Sequence, residues 1–168
     1  DANGRVGGIV GVMTDITERK QFERQLQESE RFNASLLNQS PNPIHVLFPD
    51  TSIRYVNPAF EALSGFSASE VIGKKAPYPW WRREDMDTTR EEFKTALQKG
   101  LDKYEKRFQM KNGALFWVEI TSTPVRENGE LKYYLSNWVD ITERKKAEEA
   151  LRESEATARA LLNAPNDL

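Results

Sequence analysis

Asp140-Ile141-Thr142-Glu143-Arg144-Lys145 reproduces, residue for residue, the hexapeptide Asp15-Ile16-Thr17-Glu18-Arg19-Lys20. The likeness continues at the same offset of 125 residues. Leu26, Glu28, Ser29, Glu30, Leu36, Leu37 and Asn38 return as Leu151, Glu153, Ser154, Glu155, Leu161, Leu162 and Asn163. A period this long is that of a whole domain, not of a solenoid unit. Each copy follows a β-prone run and precedes a charged stretch with helical periodicity, so it marks the passage from a last strand into an outgoing helix. The chain divides accordingly. Residues 1–16 read as the final strand of one domain and 17–39 as a linker helix. Residues 40–141 read as one complete domain, and 142–168 as a second linker helix leading to a third.

Three runs of strand character precede Asp140, at about 103–111, 116–125 and 131–140. Asn112-Gly113 and Asn128-Gly129 separate them, and Asn-Gly between alternating apolar runs is a strong hairpin signal. An antiparallel meander follows. Further upstream, two short β-prone runs, 44–48 and 53–56, flank the turn residues Pro49-Asp50-Thr51-Ser52. In the middle, Asn57-Pro58 opens a helix that carries Phe60 and Leu63 and stops at Gly65. Ser67-Ala68-Ser69-Glu70 is a capping box for a single turn closed by Gly73. The prolines of Pro77-Tyr78-Pro79-Trp80-Trp81 rule out a long helix. From 84 to 99, Met86, Phe93 and Leu97 share one helical face, with Gly100 at the end. Two strands, a helical middle and three strands predict an α+β domain with a five-stranded antiparallel sheet, flanked by linker helices. Asp15 or Thr17 caps the first linker helix, with Glu18 completing a box from Asp15, and Ser40-Pro41-Asn42-Pro43 halts it. Pro165 halts the second.

The 24 basic and 26 acidic residues are interspersed and give a net charge of −2. That balance offers no electrostatic reason to expect nucleic acid or an anionic membrane as partner. No apolar run approaches the roughly 20 residues needed to span a bilayer. The opening Asp1-Ala2-Asn3-Gly4 is unlike a signal peptide and reads as a start inside a longer protein. There is no cysteine, which excludes disulfides and thiolate sites and is compatible with a cytoplasmic location. The chain shows no phosphate-cradling glycine loop, no metal-ligand cluster, and no histidine in either linker helix to accept a phosphoryl group. The fragment is expected to be non-catalytic.

Six motifs in order carry a family resemblance. They are Tyr55-Val56-Asn57-Pro58-Ala59-Phe60, Gly65-Phe66-Ser67, Glu70-Val71-Ile72-Gly73-Lys74, Lys111-Asn112-Gly113, Trp117-Val118-Glu119 and Asp140-Ile141-Thr142. The segment from about 32 to 145 resembles a PAS domain, with the C-terminal part often written PAC, of bacterial multi-domain sensors such as histidine kinases. The resemblance implies a ligand or cofactor between the inner sheet face and the helical middle. Strand alternation counted back from Asp140 turns Tyr134, Ser136 and Trp138 inward, then Val118, Ile120 and Ser122, and Lys106, Phe108 and Met110. Phe60, Leu63, Phe93 and Leu97 close the other side. The same residues equally describe a packed core, and the large Trp138 favours that reading.

The cofactors of the family can be weighed one by one. Flavin members that form a cysteinyl adduct need a cysteine near Ala76, and none exists. Phe108 and Val118 stand where amide side chains would serve a flavin edge. Haem members ligate iron from the long helix, whereas the one histidine, His45, is on the first strand. Haem and the cysteinyl adduct are both disfavoured. Lys106 and Ser136 are thin support for a carboxylate ligand. Arg82 and Arg83 beside Trp80 and Trp81 read either as an aromatic–cationic lip or as a solvated loop. Lys74 and Glu119 are expected to form an ion pair bracing the helical middle on the sheet. Asp140, Ile141 and Thr142 are expected to couple the last strand to the outgoing helix. Ala147, Leu151, Ser154, Ala158 and Leu161 form an imperfect heptad seam, matched by Phe22, Leu26, Ser29, Asn33 and Leu36. Parallel homodimerisation through these coiled-coil-like helices, between neighbouring PAS domains and a C-terminal effector, is the expected arrangement. An unliganded dimerisation or interaction module is the alternative to a ligand sensor.

Overall fold

The structure, a computed structural model, describes residues 17–99 and 103–162. The expected strand remnant at 1–16, with the Asp15 cap, lies outside the described residues, as do Gly100, Asn163 and Pro165. Two units divide the chain, residues 1–36 and 37–168. The described part of the first is most of α1 (Thr17–Asn38), a charged helix with no buried residue. Its Arg19 Nε donates to Glu23 Oε1 at 2.9 Å, one helical turn on.

The second unit carries β1 (Ile44–Leu47), β2 (Ile53–Val56), α2 (Pro58–Ser64), α3 (Ala68–Val71), a 3₁₀ turn (Arg83–Asp85) and α4 (Met86–Lys99). Then come β3 (Tyr104–Gln109), β4 (Leu115–Glu127), β5 (Glu130–Asp140) and α5 (Thr142–Leu162). The five strands make one sheet in the order β2-β1-β5-β4-β3, antiparallel throughout. The predicted meander is present, and the β1–β2 hairpin attaches to its free edge through β5. The two Asn-Gly turns differ. At β4–β5 both Asn128 (φ 52°) and Gly129 (φ 82°) are left-handed, as a two-residue hairpin of right-handed twist requires. At β3–β4 only Gly113 is left-handed, and Gly113 N donates to Met110 O inside a longer loop.

The helix boundaries follow their caps. Asn57 Oδ1 accepts from Phe60 N at 3.0 Å, with Pro58 in the first turn, and left-handed Gly65 ends α2. Ser67 and Glu70 complete the capping box of α3. The same Asn57 is wholly buried and reaches further. Its Oδ1 accepts from Ile44 N at 2.8 Å, and its Nδ2 donates to Asn42 O at 2.9 Å and Leu37 O at 3.2 Å. One side chain thus ties the end of α1, the start of β1 and the start of α2.

The core lies between the inner sheet face and the helical middle. Phe60 and Val71 pack with Phe108, Phe116, Val118, Ile120, Tyr134 and Trp138, while Leu63, Phe93 and Leu97 close the edge partly buried. The expected inward phase therefore holds on β3, β4 and β5. The solvated-loop reading of Arg82 and Arg83 beside Trp80 and Trp81 holds for exposed Arg83 alone. Tyr78, Trp80 and Trp81 are all buried in this core, and Arg82, itself largely covered, pairs with Asp85 and Glu84. A proline-rich loop has no periodicity to announce which side chains turn inward, so aromatic content was the better guide there.

Candidate functional site

Inside the core, a small cavity of about 30 Å³ is lined by His45, Trp80, Ser122, Ser136 and Trp138, with Phe93 and Leu97 from α4 at its edge. Strand register explains its polar wall: His45 faces Ser136 across β1–β5, and Ser136 faces Ser122 across β5–β4. The three form one row over three strands. Ser136 Oγ donates to Ser122 Oγ at 3.1 Å. His45 sits in a cage of rings, with centroids 5.2 Å from Trp138, 5.7 Å from Phe60 and 6.4 Å from Trp80. His45 Nδ1 and Trp138 Nε1 are both buried without a protein partner. Such atoms are costly and call for a small polar occupant. The cavity has room for about one or two waters, against the roughly 300–1,000 Å³ of a drug-sized ligand site. Neither a flavin nor a haem fits it.

Lys106 and Glu92 close the cavity on the β3–α4 side, Nζ to Oε2 at 2.6 Å, with Lys106 mostly covered. Tyr134 Oη donates to Leu97 O at 3.1 Å, tying β5 to α4. Tyr104, also on this wall, has its phenol pushed up to about 12, chiefly by burial.

Burial also holds the pKa of His45 down at about 3, against 6.5 when free. Between those values the unfolded chain binds more protons than the folded one, so stability must fall as pH drops below 6.5. The slope approaches about 1.4 kcal/mol per pH unit for one proton. His45 is the sole histidine, so this segment belongs to it. Carboxylates contribute further into acid. Asp50, Glu70 and Glu105 are held low mainly by hydrogen bonds from Lys75, Lys111 and Lys145, and that help is lost only as pH falls through the carboxylate range. Urea denaturation from pH 7 to 5 should show the slope in the parent and none in His45→Phe. A flat parent profile contradicts the assignment.

The second candidate site is the passage from β5 into α5. Asp140 Oδ1 accepts from Thr142 N at 2.9 Å and from Thr142 Oγ1 at 2.6 Å. The same hydroxyl accepts from Trp117 N at 3.0 Å, and Ile141 N donates to Trp117 O at 3.0 Å. Thus Ile141 and Thr142 are stitched to one residue of β4, Asp140 holds Thr142 in place, and Ile141 is buried. The rest of the hexapeptide adds a charge clamp. Arg144 Nη2 binds Glu105 Oε1 at 2.7 Å, Lys145 pairs with the other oxygen of Glu105, and Arg144 Nη1 holds Glu148 at 3.0 Å. Lys145 also lies over the Trp117 ring, 5.3 Å from its centroid. Glu105 is accordingly held below its usual pKa, with Lys145 the larger cause, and Lys145 and Arg144 are raised. Beyond this first turn, no residue of α5 is buried.

The expected Lys74–Glu119 pair is not formed. Glu119 lies between inward Val118 and Ile120, which puts it on the outer sheet face, where Lys103 Nζ meets it at 2.9 Å. Lys74 is exposed beside the helical middle, and its backbone, not its ammonium, bonds to Ile53 and Val71. Sequence reasoning missed Glu105, whose signal was only alternation on β3 opposite a basic helix start.

The family model of the PAS domain matches residues 41–143. The Bacterioopsin transcriptional activator of Halobacterium salinarum is 26% identical over 148 residues, covering 85% of this chain and 22% of that protein. The virulence sensor protein BvgS of Bordetella pertussis is 29% identical over 157 residues, 90% of this chain and 13% of its own. The chain thus spans between 13 and 22% of the length of these curated relatives. The crystal structure of the PAS domain of a protein from Colwellia psychrerythraea shares the fold, with a TM-score of 0.60 at 24% identity over 67% of this chain and 97% of that one.

Proposed function

The chain belongs to the PAS domain family, and we propose that its 40–141 domain relays conformational signals to α5 within a longer multi-domain receptor. The observation that carries this reading is the junction. The first turn of α5 is tied to β4 and β3 by Asp140, Thr142, Trp117 and Glu105, while no residue of the helix beyond it is buried. Displacement of those strands is therefore delivered to the helix at its root. Family relatives that are sensors agree with this role: BvgS is named a virulence sensor.

The output element is a pair of helices from two copies. Leu151 and Leu161 on α5, and Phe22, Leu26 and Leu36 on α1, are each half or more exposed on a heptad-like stripe. An unpaired charged helix of this length is marginal in water, so a second chain supplies the missing face. The seam is weakened by Ser154 and Ala158, which suits two arrangements of similar energy. The effector controlled by helix rotation is of one of three kinds, a kinase, a cyclic-nucleotide enzyme or a transcription factor.

In the full-length receptor, Asp140→Ala should abolish stimulus dependence of the output while the isolated domain loses only about 1 kcal/mol of stability. Glu105→Lys should uncouple as well, and Glu105→Lys with Lys145→Glu should restore part of the response. Stimulus dependence unchanged in Asp140→Ala and Glu105→Lys refutes the relay.

A second reading, a ligand sensor, is favoured by one observation, the unpartnered His45 Nδ1 and Trp138 Nε1 on two residues that line the cavity. The occupant that fits is no larger than a few atoms unless α4 moves away from the sheet. Native mass spectrometry against the denatured mass separates the readings, since a retained small molecule supports the sensor.

A further inference from the structure

On the solvent side of the wall formed by Trp81, Phe93 and Leu97 lies a separate open groove of about 590 Å³. It runs from the β1–β2 turn, past α4, to the end of β4. Its floor is apolar, made by those three side chains and Tyr134, and its rim carries Arg90, Lys94 and Arg126. Arg90, Phe93, Lys94 and Leu97 follow the i, i+3, i+4, i+7 spacing, so one face of α4 supplies two of the cations and half of the floor.

The charge of this groove is one-sided, since no carboxylate lines it among the described residues. Elsewhere on the domain, five lysines are matched: Lys75 to Asp50, Lys103 to Glu119, Lys106 to Glu92, Lys111 to Glu70 and Lys132 to Glu130. Around the groove they are not. Arg90 meets only the fully exposed Asp87, at 3.7 Å. Arg126 donates a long bond of 3.3 Å to Gly129 O, and Lys94 has no ion pair among the described residues. In a chain of net charge −2, three cations lining one groove beside an apolar floor are complementary to a negatively charged ligand with an apolar body.

We propose that this groove binds a small organic anion, a carboxylate or phosphate headgroup held by Arg90, Lys94 and Arg126 with its hydrocarbon part against Trp81, Phe93 and Tyr134. Guanidinium groups suit both headgroups because each can donate two parallel hydrogen bonds. The volume lies within the range of small-ligand sites. Such an anion bridges α4 and β4, the strand whose other end holds α5 through Trp117. Binding stands independently of the relay reading; only its consequence for α5 rests on it.

The test is an NMR titration of the ¹⁵N-labelled chain with benzoate and with phenyl phosphate, and separately with a polyglutamate peptide. Saturable shifts confined to residues 49–51, 76–81, 90–97, 126 and 134 are expected. The Arg90→Gln/Lys94→Gln variant should weaken binding at least tenfold, and these exposed helix positions accept glutamine without loss of fold. Stronger binding of one probe than the other identifies the headgroup. No saturable shift, shifts scattered over all surface lysines, or equal affinity in the variant overturns the proposal. So does polyglutamate binding more tightly than either small anion, which assigns the groove to an acidic partner protein.

Discussion

Asn57→Ala should remove on the order of 4 kcal/mol from a domain that, as a protein of this size, has about 5–15 to lose. The estimate counts four hydrogen bonds, each worth about 1 kcal/mol net: two accepted, from Ile44 N and Phe60 N, and two donated, to Asn42 O and Leu37 O. All end on a side chain that is fully buried, so the partners left behind have no ready substitute from water. Asn57→Asp discriminates between a simple helix cap and this hub. A cap needs only the acceptor, and aspartate would serve it well. The hub needs the amide as donor, so aspartate turns two hydrogen bonds into oxygen–oxygen repulsion and buries a charge. Urea denaturation should find aspartate at least as damaging as alanine. A loss below about 1 kcal/mol in Asn57→Asp means that Asn57 is a cap and nothing more. The consequence reaches the signalling reading, because the Leu37 carbonyl belongs to the last turn of α1. In the proposed relay, losing this bond releases the last turn of α1 from Asn57.

Asn57 also shows how much of the fold could be read in advance. Its cap was legible because Asn-Pro before an apolar period has a local meaning. Its bonds to Asn42 and Leu37 were not, because they depend on where segments 15 and 20 residues apart meet. The same division runs through the molecule. The Asn-Gly hairpins, the Ser67–Glu70 box and the inward phase of Tyr134, Ser136 and Trp138 are short-range consequences of turn chemistry and pleat, and each is found as expected. The Lys74–Glu119 pair failed because charge complementarity between distant segments says nothing about which sheet face a strand residue occupies. Alternation on β4 already placed Glu119 outside, and that stronger constraint was available. The burial of Trp80 and Trp81 escaped periodicity altogether. At the junction, Asp140 and Thr142 were legible as a strand-to-helix motif, while Glu105 was hidden because its partners Arg144 and Lys145 lie 39 and 40 residues away. What the repeated hexapeptide does hold is half of a clamp, and the other half lies on a strand outside the repeat.

Trp138→Ala should be comparably severe and more informative about ligands. The indole is almost fully buried, with ring centroids 5.2 Å from Phe60, 5.3 Å from Phe108, 5.9 Å from Trp80 and 6.3 Å from Phe116. Truncating a buried aromatic costs about 3–5 kcal/mol, from lost transfer free energy and from the cavity left behind. Here the vacated space adjoins the existing cavity beside His45 and Ser136, so it opens a single ring-sized chamber. Aromatic neighbours on four sides resist collapse, and a chamber walled by rings, with the His45–Ser136–Ser122 row at one end, has the shape to take up a small aromatic molecule. Indole or benzene added to the variant should therefore raise its urea midpoint, by about 2.7 kcal/mol at a hundredfold excess over the dissociation constant. The parent should not respond, because Trp138 already fills the space. If the alanine variant is too unstable to study, Trp138→Leu tests the same step with a smaller loss. A midpoint that indole leaves unmoved in both variants means that the α4 side falls inward, and the aromatic cage is then not a rigid frame. Rescue means that a single indole ring separates a sealed relay domain from one that accepts a ligand, so that the two readings of this fold differ by the occupant of one position on β5.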